Sequence, residues 1–343
     1  MSDPKTKKVK LSGTSATRLP HKVLIDLYGR MRSIRAFEDK IHDSFLNGLV
    51  YGTTHLCQGQ EAVSAGAIAP LIDGDYLTYT YRGHGQCIAR GMDMEAAFAE
   101  VFGRSTGVSG GLGGSMHLTD MDLGLIGSFA IVGAGLPVAA GAAMTCQYEE
   151  KGNVAMTFFG DGSTNIGAFH ETMNLAVVWN LPLLFICENN LYGEYSPILS
   201  TTPYEDIARR AEAYAMPSDI VDGNDAQAVY EVVSRHVERA RRGGGPGFIE
   251  CKTYRYKGHS RSDPAKYRTD EELASWMEKD PLKQMVKLLM ENKILTQKEI
   301  EAIDQEISAH TDMAAKNAAE APFPTEKSLL DETYATTPLK NFG

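Results

Sequence analysis

The residues best equipped for chemistry stand where two apolar runs stop. Residues 154–159 (VAMTFF) end at Gly160-Asp161-Gly162, and residues 183–187 (LLFIC) end at Glu188-Asn189-Asn190. Asp161 offers a carboxylate and Asn190 an amide oxygen, both hard donors. Mg²⁺ sheds its hydration shell reluctantly, so it favours one or two protein oxygens completed by phosphate and water. GDG alone is common in turns; its pairing with a strand-ending ENN is the more specific signal.

Two strands joined by one helix over this length form a βαβ unit with parallel strands. Ligands of open parallel sheets sit beyond the carboxyl ends of the strands, where Asp161 and Asn190 would meet. A helix starting near Ser163 would aim its positive end at the same place and favour an anion. The stretch therefore predicts a Mg²⁺–diphosphate site. Two further polar clusters follow expected strands, Tyr81-Arg82-Gly83-His84 and Gly258-His259-Ser260-Arg261-Ser262-Asp263-Pro264. Between Gly103 and Gly127 glycine is too dense for regular structure, which predicts backbone held close to a ligand or to another chain.

The elements that must position these groups are legible from periodicity. Apolar residues at helical spacing over 22–46 predict a long amphipathic helix. Helices are also expected over 94–102, 201–217 and 225–242, and strands over 218–222 and 248–256. Pro281 suits a first helical position, and Thr296 with Glu299 reads as a capping box. Strands alternating with helices imply an α/β class, a doubly wound and mainly parallel sheet with flanking helices and a helical C-terminal tail. One domain is expected over 21–330, after a mobile arm at 1–20 and before a C-terminal extension at 331–343. His21, His42, His236 and His310 fall on expected helices and read as surface groups, while His170 reads as a packing residue.

Composition removes whole classes of function. A net charge of −10 gives nucleic-acid binding no electrostatic support. No apolar run approaches the length needed to span a membrane. The five cysteines have no metal or redox spacing, and several lie in apolar stretches, which reads as reduced core thiols of a cytoplasmic protein. Residues 131–140 (IVGAGLPVAA) imitate the start of a dinucleotide fingerprint through Gly133 and Gly135. Val138 occupies the third glycine position, however, and Pro137 interrupts the turn. An NAD-dependent dehydrogenase is the alternative this segment offers, and a scaffold that binds no cofactor is a third.

Read together, HLCQGQEA, YRGHG, GGSMH, IVGAGLP, GDG, FHETMNLA, LPLLFICENNLYG and YKGHSRSDPAKYR carry a resemblance. They are similar to the alpha subunits of the thiamine-diphosphate-dependent first component of 2-oxo acid dehydrogenases, of pyruvate and acetoin type. The resemblance runs in register over about residues 20–330 and implies the thiamine-diphosphate-binding fold.

Carried over by position, the resemblance implies that Asp161, Asn190 and the backbone carbonyl of Tyr192 ligate Mg²⁺. It implies that Tyr81, Arg82 and His259, with backbone groups of Gly162 and Ser163, hold the diphosphate. Ala130 and Val132 match positions beside the aminopyrimidine, with Ala130 standing where glycine is common. His55 and His259 match histidines that face the substrate. The Glu that activates the cofactor belongs, in such proteins, to a separate beta subunit, so an α₂β₂ heterotetramer is implied, with a lipoyl acyltransferase component as acyl acceptor. A small 2-oxo acid such as pyruvate, or acetoin, is the implied substrate. The segments GEYSP and MPSDIVDGNDAQAVYE lean toward the acetoin type, and branched-chain specificity is less favoured.

Overall fold

Among the described residues six strands form one sheet, in the order β2 (Leu125–Phe129), β1 (Tyr76–Thr80), β3 (Ala155–Gly160), β4 (Leu183–Asn189), β8 (Gly247–Lys252) and β7 (Ser218–Asp222), with every pairing parallel. The computed structural model describes residues 16–331. Of the expected arm, residues 1–15 lie outside the described residues, as do 332–343 of the C-terminal extension. Arg18 is docked, pairing with Asp225 at 2.7 Å.

The chain begins with α1 (His21–Leu46), whose Leu24, Leu27, Met31, Ile34 and Ile41 are buried at helical spacing, and continues into α2 (Glu61–Ile68). β1 (Tyr76–Thr80) is followed by α3 (His84–Arg90) and α4 (Met94–Val101), and β2 (Leu125–Phe129) by α5 (Gly135–Glu149). β3 (Ala155–Gly160) runs into a single 3₁₀ turn, Asp161–Asn165, before α6 (Gly167–Val178) and β4 (Leu183–Asn189). After β4 come a two-residue ribbon, β5 (Tyr192–Gly193) with β6 (Ser196–Pro197), and the short α7 (Ile198–Thr201). β7 (Ser218–Asp222), α8 (Ala226–Arg241) and β8 (Gly247–Lys252) complete the sheet. The tail is α9 (Asp270–Met277), α10 (Pro281–Glu291), α11 (Gln297–Glu320) and α12 (Glu326–Asp331). Asp280 caps α10 with Pro281 in its first turn, and Thr296 and Glu299 form the capping box of α11.

Both faces of the sheet are covered, so the central strands are buried and mostly apolar. Along β4, Leu184 and Ile186 face a core built with α1, α3, α4 and α8. Leu183, Phe185 and Cys187 face a second core with α5 and α6. Crossovers toward β7 lie on the second face and those toward β2 on the first, as a single crossover hand requires. The chain leaves β1 toward β2 but leaves β3 toward β4, so a crevice opens between the carboxyl ends of β1 and β3.

Two local expectations fail. No α-helix starts near Ser163; the 3₁₀ turn intervenes and α6 begins at Gly167. The backbone bends there because Thr164 Oγ1 donates to the Asp161 carbonyl at 2.7 Å, a local bond that competes with the helical ladder. Likewise 201–217 is not an α-helix but a 3₁₀ segment, Ile207–Tyr214, held by the Glu250 carboxylate accepting from the Ala208 N–H at 2.7 Å.

Candidate active site

The crevice is a cavity of about 530 Å³. The residues that the resemblance assigns to metal, cofactor and substrate all line it, each from a strand end or an adjoining loop. Tyr81 and Arg82 follow β1, Ala130 and Val132 follow β2, and Asp161, Gly162 and Ser163 form the turn after β3. Asn190 and Tyr192 follow β4, His259 lies beyond β8, and His55 comes from the loop before α2.

Asp161 is buried, and the backbone N–H groups of Asp161 and Asn190 act on its carboxylate to favour the charged form. Its Oδ1 nevertheless has no hydrogen-bond partner, and burial raises its pKa to about 6. An ionised oxygen in this position is stabilised by a cation. Asn190 donates its Nδ2 to Gln60 Oε1 at 3.1 Å, while its Oδ1 receives only a 3.4 Å approach from the Tyr192 N–H. The left-handed Leu191 (φ 73°) bends the chain between Asn190 and Tyr192. The Tyr192 carbonyl accepts from Arg255 Nη1 at 3.0 Å, so one of its two lone pairs is already engaged. Gly162 faces Gly193 so closely that a Cβ on it would lie 3.1 Å from the Gly193 Cα. That close approach, rather than turn geometry, is why the third residue of GDG is glycine.

Positive charge is concentrated opposite. Arg82 and Arg255 are buried, and neither has a carboxylate partner among the described residues. Arg82 spends Nη1 on the Leu56 carbonyl at 2.6 Å and Nη2 on the His259 carbonyl at 2.8 Å, which fixes both histidine loops against β1. Its pKa is lowered by burial and by Arg255. A buried guanidinium pair without a counter-ion, on the wall of a cavity, is suited to an anion.

His55, Tyr81 and His259 cluster, with ring centroids 4.3 Å apart for His55–Tyr81 and 5.0 Å for His55–His259. Burial and the Arg82 charge push His55 down to about 2 and His259 down to about 4. Both imidazoles are therefore neutral near pH 7, and the Nδ1 atom of each has no partner. Asp263 holds the His259 loop by accepting from its backbone N–H at 2.6 Å.

The sequence model of the dehydrogenase E1 component family matches residues 29–327. The chain belongs to that family. Among its relatives, the alpha subunit of the acetoin:2,6-dichlorophenolindophenol oxidoreductase of Bacillus subtilis is 44% identical, over 90% of this chain and 93% of the relative. The corresponding subunit of Cupriavidus necator is 39% identical, over 94% and 97%. The alpha subunit of the pyruvate dehydrogenase E1 component of Porphyra purpurea is 38% identical, over 98% and 99%. As an E1 component the chain is part of an oxidoreductase, and no helix among the described residues is long and apolar enough to cross a membrane.

Several groups of this E1 chain escaped sequence reasoning. Arg255, Gln60 and Glu188 line the cavity and are buried. Glu188 adjoins the ENN motif and Gln60 lies in QGQEA, so both stood beside recognised signals; Arg255 had none. Part of the Gly-dense segment closes on a group of its own chain. Its backbone wraps the buried Glu100 carboxylate, which accepts from the N–H groups of Ser109, Gly111, Gly113 and Gly114 at 2.7–3.0 Å. A Cβ at Gly107 would sit 2.4 Å from Glu100, which accounts for that glycine. His236 is buried on Asp219 at 2.9 Å instead of lying at the surface, and His84 is fully buried between Glu38 and Ser115. Gly133, offered for a dinucleotide, packs instead: a Cβ there would lie 1.8 Å from Ile166 Cδ1.

Proposed function

We propose that this E1 chain is the alpha subunit of a thiamine-diphosphate- and Mg²⁺-dependent acetoin or 2-oxo acid dehydrogenase, holding the diphosphate half of a shared active site. One observation carries the reading: a buried carboxylate oxygen without a partner and two buried arginines without a counter-ion face a single cavity. That pattern fits a cation and a polyanion bound together.

Asp161, Asn190 and the free lone pair of the Tyr192 carbonyl would hold Mg²⁺, an assignment the oxygen-only donor set suits. Arg82, Tyr81 and His259, with the backbone of Gly162 and Ser163, would hold the diphosphate, while Ala130 and Val132 pack beside the aminopyrimidine. When bound, thiamine diphosphate supplies the electron sink that lets a bond to a carbonyl carbon break. The chain's contribution is placement and proton handling. Neutral His55 and His259, each with an unpartnered Nδ1, serve proton exchange with the substrate oxygen and the thiol of a lipoyl acceptor. Arg82 positions both histidine loops while it meets the anion.

The carboxylate that activates the cofactor is assigned to a beta subunit in an α₂β₂ assembly, and the acyl unit to a lipoyl acyltransferase component. Acetoin is preferred over pyruvate because the segments after ENNLY and around residue 220 lean that way and acetoin-named relatives share 44% and 39% identity. The buried free thiols fit a reducing, cytoplasmic setting.

The test is dye reduction by the chain co-purified with its beta-type partner, across acetoin, pyruvate and branched-chain 2-oxo acids. Turnover of acetoin that requires both Mg²⁺ and thiamine diphosphate is expected. Turnover without either would refute the reading, and a preference for pyruvate would move the chain to the other substrate class.

A further inference from the structure

An asparagine side chain can ligate a cation only through oxygen, so its amide must face the right way. Asn190 is buried at the cavity wall, so its protein neighbours bear on that choice. Its Nδ2 donates to Gln60 Oε1 at 3.1 Å. Gln60 must therefore turn its own NH₂ the other way, where it favours the charged form of the buried Glu188 carboxyl. Glu188 also accepts from Gln86 Nε2 at 3.2 Å. Gln60 and Glu188 are both buried as well. From Asn190 through Gln60 the chain of amides thus has a direction: each NH₂ is turned toward Glu188, which leaves Asn190 Oδ1 facing away from Glu188. Reversing Asn190 alone would oppose two amide oxygens. Reversing Gln60 with it would oppose the Gln60 oxygen to the Glu188 carboxylate. Either arrangement leaves buried acceptors facing each other at a cost of a desolvated, unmade hydrogen bond.

We infer that Gln60 is a positioning residue for the metal site: held by Glu188, it selects the Asn190 orientation that presents Oδ1 beside Asp161. The inference rests on the metal site proposed above. It predicts that Gln60 acts only through an amide that has two distinguishable ends.

The experiment titrates Mn²⁺, a paramagnetic substitute for Mg²⁺, into the co-purified complex at saturating thiamine diphosphate, reading free Mn²⁺ by electron paramagnetic resonance. Gln60→Leu is expected to weaken Mn²⁺ binding about 10–100-fold, the usual range for losing a group that orients a ligand. The Gln60→Glu single variant faces Glu188 with a second carboxylate and is also weakened. Adding Glu188→Gln to it restores the donor–acceptor order and returns affinity to within a few-fold of the parent. In an Asn190→Asp background both side-chain oxygens are equivalent, so Gln60→Leu has little further effect. Equal Mn²⁺ affinity of the parent and Gln60→Leu overturns the inference, as does an undiminished Gln60→Leu penalty in the Asn190→Asp background. Should Gln60→Leu fail to fold, equal affinity of Gln60→Glu and the Gln60→Glu/Glu188→Gln pair overturns it. A parent that takes up no Mn²⁺ with thiamine diphosphate overturns the site reading itself, and this inference with it.

Discussion

Glu100 and Asp161 are both buried carboxylates placed by glycine-rich backbone, yet they differ in what surrounds them. Glu100 accepts from four backbone amides and is satisfied by its own chain. Asp161 keeps an oxygen without a partner and is pushed up to about 6. The same division separates two buried histidines. His84 uses both ring nitrogens, on Glu38 at 2.8 Å and Ser115 at 2.9 Å, whereas His55 leaves Nδ1 unpartnered. Burial and polarity alone do not mark a functional group. A polar group satisfied internally organises the fold; one left open toward a cavity is available to a ligand.

Substitution tests that division most strongly at Glu100. Glu100→Ala strips four amides of their acceptor and should lower unfolding free energy by at least about 3 kcal/mol in urea titration. A change within error would mean the loop is held by something other than its carboxylate. Asp161→Asn should do the opposite: stability without cofactor unchanged or higher, because an unpaired buried charge is removed, but thiamine diphosphate affinity reduced at least about 100-fold, roughly 2.7 kcal/mol, by calorimetry. Loss of stability in that variant would place Asp161 with Glu100 on the structural side.

Two smaller effects sharpen the contrast. Gly162→Ala should cost about 1 kcal/mol of stability, because the added methyl meets the Gly193 backbone and separates the two loops that carry Asp161 and Asn190. Equal melting temperatures for parent and variant would show that the contact is not tight. The last concerns pH. His55 is held neutral in the fold but takes a proton near its ordinary pKa when unfolded, so the unfolded state binds more protons below about pH 6.5 and stability falls as pH drops through that range. His55→Asn should melt with a shallower decline between pH 7 and 5. A parallel decline in both proteins would mean that His55 is protonated in the fold.

Much of this was written in the chain. Apolar runs and helical periodicity recovered the parallel sheet, α1 and α8, because those patterns reflect burial on one or both faces, and Thr296 with Glu299 marked the capping box of α11. The motif residues were legible because strand ends in this topology converge whatever lies between them. The 3₁₀ turn at Asp161–Asn165 was not, since it follows from a hydroxyl of Thr164 outcompeting a helical bond within one turn.

What one-dimensional pattern could not supply is which polar groups satisfy one another. Glycine density over Gly103 to Gly127 reports close backbone approach but not what is approached; part of that segment closes on the chain's own Glu100. Gln60 lies 130 residues before Asn190 and Arg255 lies 65 after it, and neither residue's type or spacing shows which group it meets. The types and order of the residues established the fold class and the carboxylate–amide pair at the strand tips. Hydrogen-bond satisfaction and net burial depend on distances between segments far apart in the chain, so only folding assigned Asp161 to the open cavity and Glu100 to the closed loop.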